Sequence, residues 1–137
     1  MVEAHLRQAQ EIAEIGSWHL DIEADELHWS EKCYRIFGVP KGEEMTYDRF
    51  LDRVHPEDRQ FVTDQWQAAL DGDTYDIEHR IVVEGESRWV RERAEIEFDR
   101  RGEPVSGVGI VQDITERKTR EREIEATKQR YQTLLPA

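Results

Sequence analysis

Residues 74–98 constrain this chain more than any other stretch. "TYDIEHRIVV" and "SRWVRERAEIEF" both alternate apolar with polar residues. In the first, Tyr75, Ile77, His79, Ile81 and Val83 share one side; in the second, Val90, Ala94, Ile96 and Phe98 do. A period of two over this length marks a strand with one buried face, and Gly85 supplies the turn between them. Beyond a second turn at Gly102, "VSGVGIVQ" places Val105 and Val111 toward one face and Val108 and Ile110 toward the other. Both faces of that strand should therefore be covered. Three consecutive strands joined by short turns favour an antiparallel sheet over a doubly wound parallel one.

The first half of the chain supplies what the sheet needs as neighbours. "SWHLDI" alternates with Trp18, Leu20 and Ile22 on one side, "EADE" turns, and "LHW" returns with Leu27 and Trp29 toward the same core. Ser30 can cap a short helix carrying Cys33, Tyr34, Ile36 and Phe37 that ends at Gly38 and Pro40. A second short helix is expected from about Tyr47 to Val54. "HPEDR" starts a third, with Pro56 at the first helical position and Glu57 and Asp58 at the positive end of the dipole. Phe61, Val62, Trp66, Ala69 and Leu70 form its expected apolar face, and Gly72 closes it. Ahead of all this, Val2, Leu6, Ala9 and Ala13 make a narrow helical seam ending at Gly16.

With 137 residues there is enough chain for one core. No apolar run is long enough to span a membrane, and the N-terminus lacks the layout of a signal peptide. Cys33 is the only cysteine, so an intrachain disulfide is impossible and a reducing, cytoplasmic setting is expected. A net charge of −12 argues against nucleic acid or anionic membrane as partners. Of the 19 cationic residues 15 are Arg, and so acidic and Lys-poor a surface is what concentrated salt would screen. No Ser/His/Asp order, carboxylate pair on a cleft or phosphate-cradling glycine loop supports an enzyme.

The stretches "IGSWHLDIEADELHWSEKCYRIFG" (15–38), "FLDRVHPEDR" (50–59) and "YDIEHRIVVEGESRWVRERAEIEFDRRGEPVSGVGIVQDITERK" (75–118), in that order and spacing, resemble a PAS domain with its C-terminal motif. The resemblance implies an α+β fold: a five-stranded antiparallel sheet, near residues 17–23, 26–30, 74–83, 88–98 and 105–112, cupping a small cavity under the helices. It implies a flanking helix over 1–15, a core over 16–113 and a signalling helix from 114 to 137. It further implies a sensory or regulatory module of a cytoplasmic signalling protein, most often a sensor histidine kinase, rather than an enzyme in its own right. A ligand-free dimerisation module is the alternative. The tail "QRYQTLLPA" resembles the opening of a further PAS domain, as in a piece of a longer chain.

In the family, "DIT" (Asp113, Ile114, Thr115) is the hinge between the last strand and the signalling helix. Asp113 is placed to cap that helix or pair with an Arg, and the Thr115 hydroxyl can serve backbone groups freed at the strand end. The helix that follows is nearly all polar. Arg117 and Arg120 interrupt the seam of Ile124, Tyr131 and Leu134, so homodimerisation is expected to rest more on Val2, Leu6, Ala9 and Ala13 and on Val108 and Ile110.

Ligand candidates follow from the same resemblance. Light-sensing relatives attack flavin with a Cys in an Asn-Cys-Arg-Phe-Leu-Gln motif and carry a Gln in the last strand. This chain lacks the motif and has Val111 at the Gln position, so covalent flavin is not expected. Haem-binding relatives use a His in the long helix, and residues 56–71 hold none. His55 is expected as a helix cap. Pairing Ile22 with Leu27 would set Asp21 opposite His28, near His19, but a metal needs more ligands than this pair offers. His79 faces the core, as a bonded core residue or as a polar contact for a ligand. Trp18, Trp29, Phe37, Phe50, Trp66, Tyr75 and Val111 complete the expected wall, suited to a small flat apolar or aromatic molecule.

Overall fold

The computed structural model describes residues 14–134, with side chains described to residue 132. The seam of Val2, Leu6, Ala9 and Ala13 lies outside the described residues. Two strands open the fold, β1 (Ile15–Asp21) and β2 (Glu26–Trp29), followed by α1 (Glu31–Phe37) and α2 (Tyr47–Arg53). A 3-10 turn (Pro56–Asp58) leads into α3 (Arg59–Leu70), then come β3 (Tyr75–Val83), β4 (Glu86–Phe98), β5 (Pro104–Asp113) and α4 (Thr115–Leu134). The five strands form one antiparallel sheet in the order β2-β1-β5-β4-β3. This is the α+β architecture expected from the sequence.

Local chemistry sets the helix ends. The Ser30 hydroxyl accepts from the Cys33 N–H at 3.3 Å and from the Ser17 N–H at 2.9 Å, so one cap also ties α1 to β1. Gly38 stops α1 in the left-handed region (φ 68°), where other residues are strained. Thr46 caps α2, and His55 caps the 3-10 turn through Nδ1. Glu57 and Asp58 do more than face a dipole. Asp58 accepts from the backbone and guanidinium of Arg80 on β3, and Glu57 takes the guanidinium's other side. The Arg80 hydrogen bonds hold the Asp58 carboxyl below its ordinary range despite partial burial.

Two expectations are corrected. In the first hairpin the turn is residues 22–25, so His19 pairs with His28, Leu20 with Leu27 and Asp21 with Glu26. Ile22 falls in the turn, and its N–H donates to the Val105 carbonyl at 3.1 Å. Asp21 is thus not opposite His28; the His19 and His28 rings stack instead, 6.1 Å apart. On α3 the buried residues are Val62, Trp66 and Ala69, spaced at four and three, while Phe61, about 100° round the helix, is 46% exposed.

The core fills the space between the sheet's inner face and α1–α3. Leu20, Tyr75, Ile77, Ile81, Val90 and Val111 come from the sheet, and Cys33, Phe37, Phe50 and Trp66 from the helices. Two polar side chains are buried with them, His79 and Glu92. No helix among the described residues is long and apolar enough to cross a membrane.

Candidate functional site: an aromatic cup and the strand-to-helix hinge

Under the helices lies an aromatic cup lined by Trp18, Leu27, Trp29, Tyr47, Phe50, Trp66, Tyr75 and Glu92, enclosing about 20 Å³. Trp66 organises it: Trp18 and Tyr75 meet its ring edge-on at 6.2 and 5.4 Å, and Tyr47 stacks on it at 5.7 Å. The small residues of β5 make room for these rings. A Cβ on Gly109 would lie 2.5 Å from the Trp18 ring and 2.6 Å from the Arg93 carbonyl. Trp18, Trp29, Phe50, Trp66 and Tyr75, expected as wall, do line the cup. Phe37 lies behind Trp29, stacked on it at 4.6 Å, and Val111 is fully buried in the sheet; neither is among the lining residues.

His79 faces inward but stands one layer back, where Phe50 meets its ring edge-on at 6.0 Å. Its Nε2 is 2.5 Å from Glu92 Oε2, and its Nδ1 lies 3.1 Å from the Arg80 carbonyl. Burial alone would depress the imidazole pKa, but the hydrogen bond and charge of Glu92 more than offset it, so the net shift is upward. The same buried carboxylate adds to burial in pushing the Cys33 thiol and the Tyr75 phenol well above their ordinary values. Burial likewise pushes the Tyr47 phenol up to about 12. Two buried donors at the cup lack partners: the Trp18 indole Nε1–H, and the Tyr47 hydroxyl, which has Thr63 near it but no hydrogen bond of normal geometry.

The hinge is a closed network. Asp113 Oδ1 accepts from the Thr115 N–H at 2.9 Å and its hydroxyl at 2.6 Å, while Oδ2 accepts from Arg88 at 2.9 and 2.6 Å. Burial works against ionisation of Asp113, yet Thr115 and Arg88 carry its pKa below the ordinary value. Thr115 Oγ1 accepts the Trp89 N–H at 3.0 Å, and the buried Ile114 donates its N–H to the Trp89 carbonyl at 2.9 Å. One turn on, Arg117 and Lys118 reach Glu78 on β3 at 2.6 and 2.7 Å, and the Lys118 ammonium sits 4.8 Å from the Trp89 ring centre. From Thr119 to Gln132 every residue is exposed, Ile124 and Tyr131 among them. The helix's contacts with Trp89 extend to Arg122 in the second turn, 5.7 Å from the ring centre.

Val108 is 48% exposed and Ile110 half-buried, and with Arg93, Phe98, Ala69 and Tyr75 they line an open hollow of about 670 Å³. The hollow is larger than the cup but shallow and open to solvent. No group of three or more His, Cys, Asp or Glu that could hold a metal occurs among the described residues.

The PAS fold family matches residues 26–111. This chain belongs to the PAS family. Over 112 residues, 81% of the chain, it is 40% identical to the blue-light-activated histidine kinase of Brucella ovis, of whose length the match spans 22%. A sensory box histidine kinase/response regulator structure from Burkholderia thailandensis superposes with a TM-score of 0.80 at 28% identity, covering 94% of this chain and 98% of that one. The LOV protein of Rhodobacter sphaeroides shares the fold, with a TM-score of 0.59 at 18% identity over 73% of this chain and 60% of that one.

Two features of the PAS cup were not anticipated. Glu92 follows from the alternation itself, since residues 90, 92, 94 and 96 share a face, but a carboxylate is the residue least expected on an inner face. Tyr47 opens α2 and shows no periodicity that aims it inward.

Proposed function

We propose that this PAS domain is the sensory module of a cytoplasmic signal-transduction protein, a histidine kinase by the measure of its relatives. In this reading a small molecule in the cup is the signal, and Asp113, Ile114 and Thr115 pass it to α4. The observation that carries the reading is the double use of β3 and β4. Tyr75, His79 and Glu92 face the cup or its polar wall, while Glu78, next to His79, and Trp89, paired with Arg80, hold the first turn of α4 from outside. A shift of these two strands is felt on both faces at once. Homodimerisation through residues 1–14 together with Val108 and Ile110 would give the exposed part of α4 a partner.

The relatives' blue-light name and the LOV likeness point to a flavin, against the expectation from the sequence. The residues here fit one poorly. Cys33 is buried against Gly16, whose Cβ would lie 2.8 Å from the Cys33 nitrogen, and is not among the residues of the cup. Val111 offers no hydrogen bond where LOV strands carry Gln, and 20 Å³ is an order of magnitude below the roughly 300 Å³ of a drug-sized pocket. The same small volume favours a second reading, an interaction module with a filled core.

Amide exchange separates the two. In Glu92→Gln, which disturbs only the inner face, the relay reading expects faster exchange at residues 114–119 with β1, β2 and β5 unchanged. Unaltered exchange in α4 would favour the filled-core module.

A further inference from the structure

We propose that the cup takes a small protonated amine, its charge on the Glu92 carboxylate and its alkyl part against the rings of Trp18, Trp29, Tyr47, Phe50 and Trp66. This rests on the sensory reading and names its ligand class. Six aromatic residues line one small space, and aromatic rings attract an organic cation wherever a face is open to it. An apolar guest would need the rings only; the Glu92 carboxylate in the same wall, 3% exposed and paired with His79, can also take a cationic guest. A space of about 20 Å³ holds little more than one water, so the guest is small and the rings must part to admit its alkyl chain. The unpartnered Trp18 N–H calls for an acceptor, which a hydroxylated amine such as ethanolamine supplies beside its ammonium group. A net charge of −12 raises the local concentration of any cation.

Binding also has a built-in readout. Against the effect of burial, the hydrogen bond and charge of Glu92 raise the His79 pKa, and an ammonium docking on the carboxylate removes that support. A protonated His79 then gives its Nε2 proton to solvent and keeps the Nδ1 proton on the Arg80 carbonyl, so entry of the cation is coupled to loss of a proton. Around the pair stand Cys33 from α1, Tyr47 from α2 and Tyr75 from β3, all neutral near pH 7, and Asp58 from the 3-10 turn. Asp58 is already committed to Arg80. His79 is therefore the group that responds. Once its proton leaves, the imidazole nitrogen and carboxylate oxygen at 2.5 Å repel, and the β3–β4 pair that carries them must adjust.

Titration of the whole chain with ethanolamine hydrochloride tests this by tryptophan fluorescence, with ethylene glycol and sodium chloride as neutral and ionic controls. A saturable change with ethanolamine alone is expected, accompanied in calorimetry at pH 7 by proton release that depends on the buffer. Glu92→Gln should weaken binding at least tenfold. His79→Gln, which keeps a polar group against Glu92, should bind without releasing a proton, and serves should Glu92→Gln not fold. No saturation below 100 mM, an equal response to ethylene glycol, or ethanolamine binding without proton release in the wild type overturns the proposal. Because the relay is tested by exchange in Glu92→Gln with no amine present, a cup that ignores amines leaves that test standing.

Discussion

Gly109 is where a single methyl group should do the most damage. The residue faces the cup from the middle of β5, paired with Ala94 on β4 and Trp18 on β1. A Cβ there would sit 2.5 Å from the Trp18 ring and 2.6 Å from the Arg93 carbonyl, both well inside contact distance. The ring cannot retreat freely, because Trp66 meets it edge-on from the other side. The carbonyl belongs to the neighbouring strand and can move only with β4. Overpacking of this kind costs about 1–3 kcal/mol, and a clash with backbone places Gly109→Ala at the upper end. With an unfolding entropy of about 2.1 cal/mol/K per residue, 3 kcal/mol lowers Tm by roughly 10 °C. Gly107 is the control: its Cβ would meet only the side-chain tips of Ile96 at 3.1 Å and Trp66 at 3.3 Å, which can give. Thermal unfolding followed by circular dichroism should rank Gly109→Ala well below Gly107→Ala and wild type. A Tm for Gly109→Ala within about 2 °C of wild type would refute the packing argument.

Three further outcomes are expected. Because the folded pKa of His79 is raised above its ordinary 6.5, its contribution to stability is full below that value and is lost as pH climbs through the raised pKa; urea midpoints should fall between pH 6 and pH 8.5, and a rise would contradict the shift. Thr115→Val strands the Trp89 N–H and removes a hydroxyl from Asp113, so about 1–3 kcal/mol of local stability should go, seen as faster amide exchange in the first turn of α4 while the sheet stays protected. Sedimentation should show a concentration-dependent dimer that deleting residues 1–14 weakens more than deleting 124–137; the opposite ranking would move the main contact to α4.

What could be seen in the sequence was whatever depends on neighbours within a few residues. The Ser30 and His55 caps, the left-handed stop at Gly38 and the alternation of β3 and β4 are local signals, and the structure carries them. Readings that depended on distant partners went astray. The first hairpin turns one residue earlier than expected, and there the Ile22 N–H bonds to Val105, more than 80 positions away, a contact of which sequence periodicity holds no trace. Phe61 looked apolar enough to bury, but the helix can turn only one stripe inward. Glu92 was hidden by its chemistry: alternation put it inside, desolvation argued it out, and only its diagonal neighbour His79 on the adjacent strand resolves the conflict. The size of the cup was illegible altogether, since it is set by how six rings share one volume.

The energies on the two faces of β3 and β4 differ, and that difference limits how strong a relay can be. Inside, Glu92 and His79 form a fully buried pair, and breaking such a pair by removing one partner costs about 3–5 kcal/mol. Outside, beyond the hinge hydrogen bonds, α4 is held by two ion pairs to a half-exposed Glu78 and by two cations near the Trp89 ring, each worth about 1 kcal/mol or less at an exposed site. An event in the cup that disturbs the inner pair therefore has energy enough to release the outer latch. Linkage is reciprocal, however, so the coupling cannot exceed what the weaker element holds. With two ion pairs and two cation–π contacts that ceiling is about 1–3 kcal/mol, a shift of roughly 5- to 150-fold in the docked population of α4. The latch is also the part most screened by salt, because its charges face solvent while the inner pair does not. Raising ionic strength should thus loosen α4 and leave the cup unchanged, and Glu78→Gln should reproduce the effect of salt at low ionic strength. A cup whose tryptophan emission followed salt as closely as the exchange of α4 would mean that the inner pair, and not the latch, is the weaker link.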